Sequence, residues 1–248
     1  MHPAIITRSP SIFSSKEWLT IPFQGRPKSV FDKVIDVITI ISAILFRLDA
    51  TWSTKDMSEA IAERLLLRAQ TLKIKEQLDQ YWDKELRDAS QLHGWSGDYY
   101  RGVPGFDFDN DYLKLEPTPT DDEITASQSP PPRNNGCFYA ESMATAFYNT
   151  ARMLTLSILN ELDAPPIRFE EQMQAHSESI LCVATLMTHL NIGYAFVRLV
   201  LPLSLVWQLS PLETQKTKAM QILSQWKMKG GVGGLCEVVL SSMRGETL

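Results

Sequence analysis

Asp107, Asp109 and Asp111 alternate as the first ligands of a calcium loop do. The sixth position of such a loop needs glycine for its sharp turn and the twelfth needs glutamate; here they hold Tyr112 and Thr118. KGGVGG, Lys229 to Gly234, suggests a phosphate-cradling loop, but a lysine must follow the last glycine and a strand must precede the first. Leu235 follows, so the run reads as a helix-terminating turn. Asp121, Asp122 and Glu123 could begin a magnesium-binding DDxxD cluster, yet the fifth position is Thr125 and the surroundings are proline-rich.

Nucleophile and base signals are equally thin. No serine sits in a G-x-S-x-G elbow. His176 and His189 are thirteen residues apart with no carboxylate pattern between them, and His189 reads as an interior or boundary histidine with one hydrogen bond. Cys137, Cys182 and Cys236 are too widely spaced to share a metal and too few to frame disulfides. The sequence therefore points to no catalytic residue, no cofactor and no metal. Two candidate binding features remain. Trp95, Tyr99, Tyr100 and Phe106 cluster in a Gly-punctuated stretch that reads as a loop packed by its own rings, with a ligand or partner surface as the alternative. Met187, Tyr194, Phe196, Pro202 and Trp207 could line an apolar pocket opened by kinks at Gly193 and Pro202.

These last residues lie in the stretch that must position everything else. From Ser177 to Leu209 apolar side chains occur on every side of the helical wheel, the mark of a helix buried in a bundle or spanning a membrane. His189, Asn191 and Arg198 interrupt it, so it is expected to form the kinked central helix of an all-α bundle of about six to eight helices. Pro202 should kink it by clashing with the carbonyl of Arg198. Ser29 with Asp32 opens a helix through Leu48. Ser53 with Asp56 opens a second, amphipathic helix running to about Leu92, with Ile61, Leu65, Leu72, Leu78, Trp82 and Leu86 toward one side. At roughly 38 residues it would span roughly 57 Å, so a break near Thr71 is expected. Phe138 to Leu162 forms a third, closed by Pro165 and Pro166. Ser210-Pro211-Leu212-Glu213 carries N-cap, first-turn proline and capping-box glutamate for another. A short helix after Gly234 ends near Met243.

Residues 1–28 read as an irregular leading segment, and 29–248 as a single helical domain. PTPTDDEITASQSPPPRNN, 117–135, has almost no apolar content and reads as a flexible linker. Thr118 and Ser129 each precede a proline within it and are candidate phosphorylation sites. With 44% hydrophobic and 21% charged residues, the 248-residue chain has ordinary globular composition. Its net charge of −5 and scattered lysines argue against duplex DNA binding by this chain alone. The nearest approach to a basic patch, Lys216, Lys218, Lys227 and Lys229, reads as a solvated helix face. The amino terminus has no signal-peptide layout, which leaves a reducing compartment as the expectation.

Four segments in order resemble the fungal-specific transcription factor domain, the C-terminal regulatory region of fungal zinc-cluster regulators. The first is WLTIPFQGRPKSVFDKVIDVITIISAILFRLD, with Trp18, Pro22, Pro27, Lys28, Asp36 and Asp49. The second is LDQYWDKEL, with Trp82. The third is FYAESMATAFYNTARMLTLSIL, with Phe138, Ala144, Tyr148 and Arg152. The last is VLPLSLVWQLSPLETQKTKAMQILSQWKMKGGVGGLC. The zinc cluster and the further helical portion usual upstream are missing. The resemblance implies a non-catalytic nuclear regulatory domain, shuttling with the cytoplasm. It would act through a protein partner, self-association or a hydrophobic small-molecule effector, reaching DNA only through a zinc-cluster module that this chain lacks, and touching no membrane. A small-molecule sensor or carrier using the apolar pocket is the alternative.

Overall fold

The computed structural model describes residues 27–86, 135–163, 169–228 and 232–245. Within them the chain forms seven α-helices and no strand: α1 (Val30–Ser53), α2 (Met57–Tyr81), α3 (Asn135–Leu162), α4 (Glu170–His189), α5 (Gly193–Leu209), α6 (Glu213–Lys227) and α7 (Gly233–Met243). The expected all-α bundle is what the sequence builds. The leading segment before Pro27, the aromatic stretch around Trp95, the expected 117–135 linker up to residue 134, with Thr118 and Ser129, and the closing prolines Pro165 and Pro166 lie outside the described residues; Asn135, expected to end that linker, already belongs to α3.

Local chemistry accounts for the helix ends. The Ser29 hydroxyl accepts from the Asp32 N–H, and the Asp32 carboxylate accepts from the Ser29 N–H, a complete capping box for α1. Asp56 caps α2 by accepting from the N–H groups of Ser58 and Glu59. Ser53, expected as that cap, is instead the last residue of α1. α2 runs unbroken through Thr71, whose hydroxyl donates to the Leu67 carbonyl within the buried seam. The irregularity comes a turn past Leu78, where Trp82–Leu86 winds as a π-helix. Before α6, Ser210 does not sit in the N-cap position. Its hydroxyl accepts from the Leu212 N–H at 3.2 Å and donates to the Gln215 side chain at 2.6 Å, so the cap reaches across the corner rather than into the first turn. Gly233 opens α7 under a steric demand, since a Cβ there would lie 2.6 Å from the Lys227 carbonyl oxygen.

The expected single central helix is in fact two. α4 ends at His189 and α5 starts at Gly193, with Asn191 at φ 51° between them. Asparagine tolerates that left-handed conformation better than most residues, and it turns the chain back so that α5 packs on α4. Pro202 lies buried inside α5. The centre of the bundle is α3. Every residue from Ser142 to Leu156 is buried, and α3 packs against α1, α2, α4 and α5.

Two cores result, one on each side of α3. Ala144, Phe147, Tyr148, Ala151, Leu154 and Ile158 face α1 and α2, whereas Met143, Ala146 and Met153 face the layer of α4 to α7. α5 is similarly divided, sending Leu201 and Leu205 to the first core and Phe196, Leu199, Leu203 and Val206 to the second.

Candidate functional site

The site with most chemistry is a polar joint where the end of α2 meets α3 and α4. The π-turn displaces Trp82 onto Tyr148 of α3, with ring centroids 5.0 Å apart and nearly parallel planes. One turn earlier on α2, Asp79 bridges two cations, Lys75 at 3.2 Å on its own helix and the buried Arg152 of α3. π-turns inside helices frequently accompany such specialised contacts. Beside Arg152, the Asn149 side-chain oxygen lies 2.8 Å from His176 Nδ1 on α4. Asn149 in turn donates to the Thr145 carbonyl.

Electrostatics fix the states of these groups. His176 is held down to about 4, first by burial and then by the positive charge of Arg152, with Asp79 opposing. Tyr148 is pushed up to about 12, mainly by burial. Both are therefore neutral near pH 7. They act as fixed hydrogen-bonding groups at a junction of three helices rather than as proton carriers at that pH. Among the described residues Arg152 Nε has no hydrogen-bond partner, while its terminal nitrogen engages Asp79.

A second polar knot ties α6 to α4. Gln215 donates from Nε2 to the Gln174 carbonyl at 3.1 Å and to Glu178 Oε2 at 3.0 Å. At the far end of the same helix pair, Trp226 Nε1 donates to Thr188 Oγ1 at 2.8 Å, and the Trp226 ring stacks on Phe196 at 4.5 Å. The free thiols of Cys182 and Cys236 are pushed up to about 12 and about 11 by burial, far from the thiolate state that nucleophilic chemistry needs.

The five residues expected to line an apolar pocket do not converge on one. Met187 and Phe196 are fully buried in the core, Phe196 under Trp226, and Pro202 is buried nearby. Trp207 is half-buried, and Tyr194 is exposed, its ring against Tyr139 at 4.5 Å. A cavity of about 580 Å³ lies elsewhere, between Leu156 and Asn160 of α3, Met173 of α4, and Gln208 and Leu209 at the end of α5. A shallower groove of about 390 Å³ lies between α1 and α2, bordered by Thr51, Glu59 and Leu66. His189, expected at an interior boundary, is exposed at the end of α4; the sheltered histidine is His176. No signal in the sequence singled out His176 or Asp79. Arg152 is marked only by the family resemblance, and Trp82 and Tyr148 also by their apolar positions on the second and third helices.

Among the described residues no group of three or more His, Cys, Asp or Glu side chains is placed to hold a metal ion. No helix there is long and apolar enough to cross a membrane. Compared with protein-family models, curated proteins and solved structures, the chain matches none of them.

Proposed function

We propose that this chain is a non-catalytic regulatory domain of a fungal transcription regulator. It works in the nucleus through protein contacts, and DNA is contacted through a zinc-cluster module outside the chain. The observation that carries the reading is the polar joint. Trp82 from the second resembling segment lies on Tyr148 from the third, and Arg152 of the third pairs with Asp79, again from the second. Within the first segment, Lys28 pairs with Asp36. Two pairs of residues that carry the likeness, Trp82 with Tyr148 and Lys28 with Asp36, thus serve as each other's partners, which is the behaviour of a shared structural unit.

The test is to fuse the chain behind a heterologous zinc-cluster DNA-binding module and measure reporter transcription in a fungal host. The expected result is a change of at least about fivefold relative to the module alone at equal protein level. An unchanged reporter would reject the regulatory reading. An anisotropy titration of the isolated chain with duplex DNA at physiological salt should show no sequence-selective binding, since net charge −5 opposes the phosphate backbone.

The cavity beside Asn160 and Gln208 favours one further reading, a sensor of a mostly apolar metabolite carrying one or two polar groups. A ligand at about 100 times its Kd would stabilise the fold by about 2.7 kcal/mol. A thermal-shift screen of hydrophobic metabolites that moves the transition for none of them would count against it.

A further inference from the structure

Among the described residues, nothing packs on the apolar side chains of the outer side of α2. Met57, Ile61, Leu65, Leu66 and Leu72 are 73%, 53%, 63%, 48% and 40% exposed. Met57, Ile61 and Leu65 follow one another at four-residue steps, and Leu72 lies two turns beyond, so they form a stripe along one side of the helix. Ala62 and Ala69, both exposed, fill the gaps. The stripe lies opposite the buried seam of Ala60, Leu67, Thr71, Ile74 and Leu78. It leaves on the order of 500 Å² of apolar surface bare, a patch of the size that on a monomer often serves a function.

We propose that this face pairs two copies of the chain, α2 against α2, antiparallel about a two-fold axis at Leu65. The proposal deepens the regulatory reading above by naming the partner, and rests on it for its purpose though not for its geometry.

The spacing of side chains is what selects a second copy. Counted outward from Leu65, Ile61 and Ala69 lie four residues to either side, and Ser58 and Leu72 lie seven. A two-fold axis there sets Leu65 on its counterpart, Ile61 on Ala69 and Leu72 on Ser58. Away from the Leu65 pair on the axis, Ile61 and Leu72 each meet a small side chain, and the same patch serves both copies. The charges agree with the same register. Lys55 and Glu59 precede the centre; Lys73 and Glu76 follow it; all four are exposed, and none forms an ion pair among the described residues. Antiparallel pairing brings Lys55 toward Glu76 and Glu59 toward Lys73. Parallel pairing would oppose like charges and is disfavoured. The other cations beside the stripe are already engaged, Arg64 over the Trp52 ring at 4.2 Å and Arg68 with Asp163. The groove bordered by Glu59 and Leu66 leaves room for the second copy's lysine. Stripe, flanking charges and groove rim together approach the roughly 800 Å² per partner of a standard interface.

Sedimentation equilibrium of the whole chain between roughly 1 and 50 µM, a range suited to an interface of this size, tests it. The wild type should be dimeric. Leu65→Arg should weaken association at least about 100-fold, with unchanged helical circular dichroism because the side chain is exposed. Glu59→Lys and Lys73→Glu should each weaken it about tenfold, and the double variant should recover, which only the antiparallel arrangement predicts. Leu65→Cys should cross-link to its own copy on mild oxidation. A wild-type monomer throughout, or a dimer indifferent to Leu65→Arg, would overturn the proposal. So would a monomer in which Leu65→Cys resists a thiol probe, since another part of the chain would then cover the face. A monomer that still alters the reporter defeats the pairing and spares the regulatory reading; a dimer without reporter effect does the reverse.

Discussion

In the C-terminal part of the bundle α5 is enclosed by α3, α4, α6 and α7, and its Phe196 is covered by the ring of a fully buried Trp226. In the N-terminal part, α2 rests on α1 and α3 and keeps a second apolar stripe facing outward. The two regions use similar residues to opposite ends. The first spends its hydrophobic surface on stability, because each apolar side chain removed from water contributes about 1.5–3 kcal/mol. The second withholds part of that surface from the fold, so it is left for association.

The sharpest way to separate the regions is to remove their largest anchors. Trp226→Ala deletes a fully buried indole, its stack on Phe196 and its bond to Thr188. It should cost about 4 kcal/mol and lower Tm by roughly 10 °C, read by thermal denaturation followed by circular dichroism. A loss below about 1 kcal/mol would mean that the enclosed C-terminal core does not spend its apolar surface on stability.

The joint between the regions should respond next. Arg152→Ala strips Asp79 of its buried partner and opens space under Tyr148. Asp79 is partly exposed and can regain water, so the expected loss is about 2–3 kcal/mol rather than the upper end for a fully buried pair. Urea denaturation measures it. Asp79→Asn should cost less, since Arg152 keeps a hydrogen-bond acceptor beside it.

That joint also carries a pH dependence of known sign. His176 is neutral in the fold and held at about 4, below the ordinary value of about 6.5. Its contribution is complete above about pH 6.5 and is lost as pH falls from there toward 4, because the unfolded chain takes the proton first. Going from pH 7.5 to 5 should therefore cost about 2 kcal/mol through this ring. In His176→Gln that portion of the acid sensitivity should vanish. Equal slopes of stability against pH in wild type and variant would sink the assignment.

Much of the enclosed region was legible from residue order, and much of the open one was not. Ser29 and Asp32 announced the start of α1, and the Ser210-Pro211 corner announced the approach to α6 within a few residues, because caps are local chemistry. The break at Asn191 shows in the sequence only as a polar interruption of the apolar run. A single left-handed residue turns a chain without altering its hydrophobic pattern, so Ser177 to Leu209 reads as one helix though it folds as two. Which side of α2 is buried is illegible for a related reason. Ile61, Leu65 and Leu72 make as good a stripe as Leu67, Ile74 and Leu78, and periodicity cannot say which of two apolar faces meets the core. The polar joint depends on Asp79 and Arg152, 73 residues apart in the chain, a pairing that no local rule reaches.

The smallest expected effect discriminates between the two faces of that one helix. Ile61→Gln alters the outer stripe, and Leu67→Ala, on the buried seam, is its reference. Measured at sub-micromolar concentration, where association contributes little, Ile61→Gln should change unfolding free energy by less than about 0.5 kcal/mol. The reason is that 53% of Ile61 already faces water, so the exchange trades one solvated side chain for another. Leu67→Ala leaves a cavity among α1, α2 and α3 that neighbouring side chains fill only in part. If the two substitutions cost the same, the outer stripe is covered within a single chain. The contrast between a closed C-terminal core and an open N-terminal face would then collapse at its weakest link.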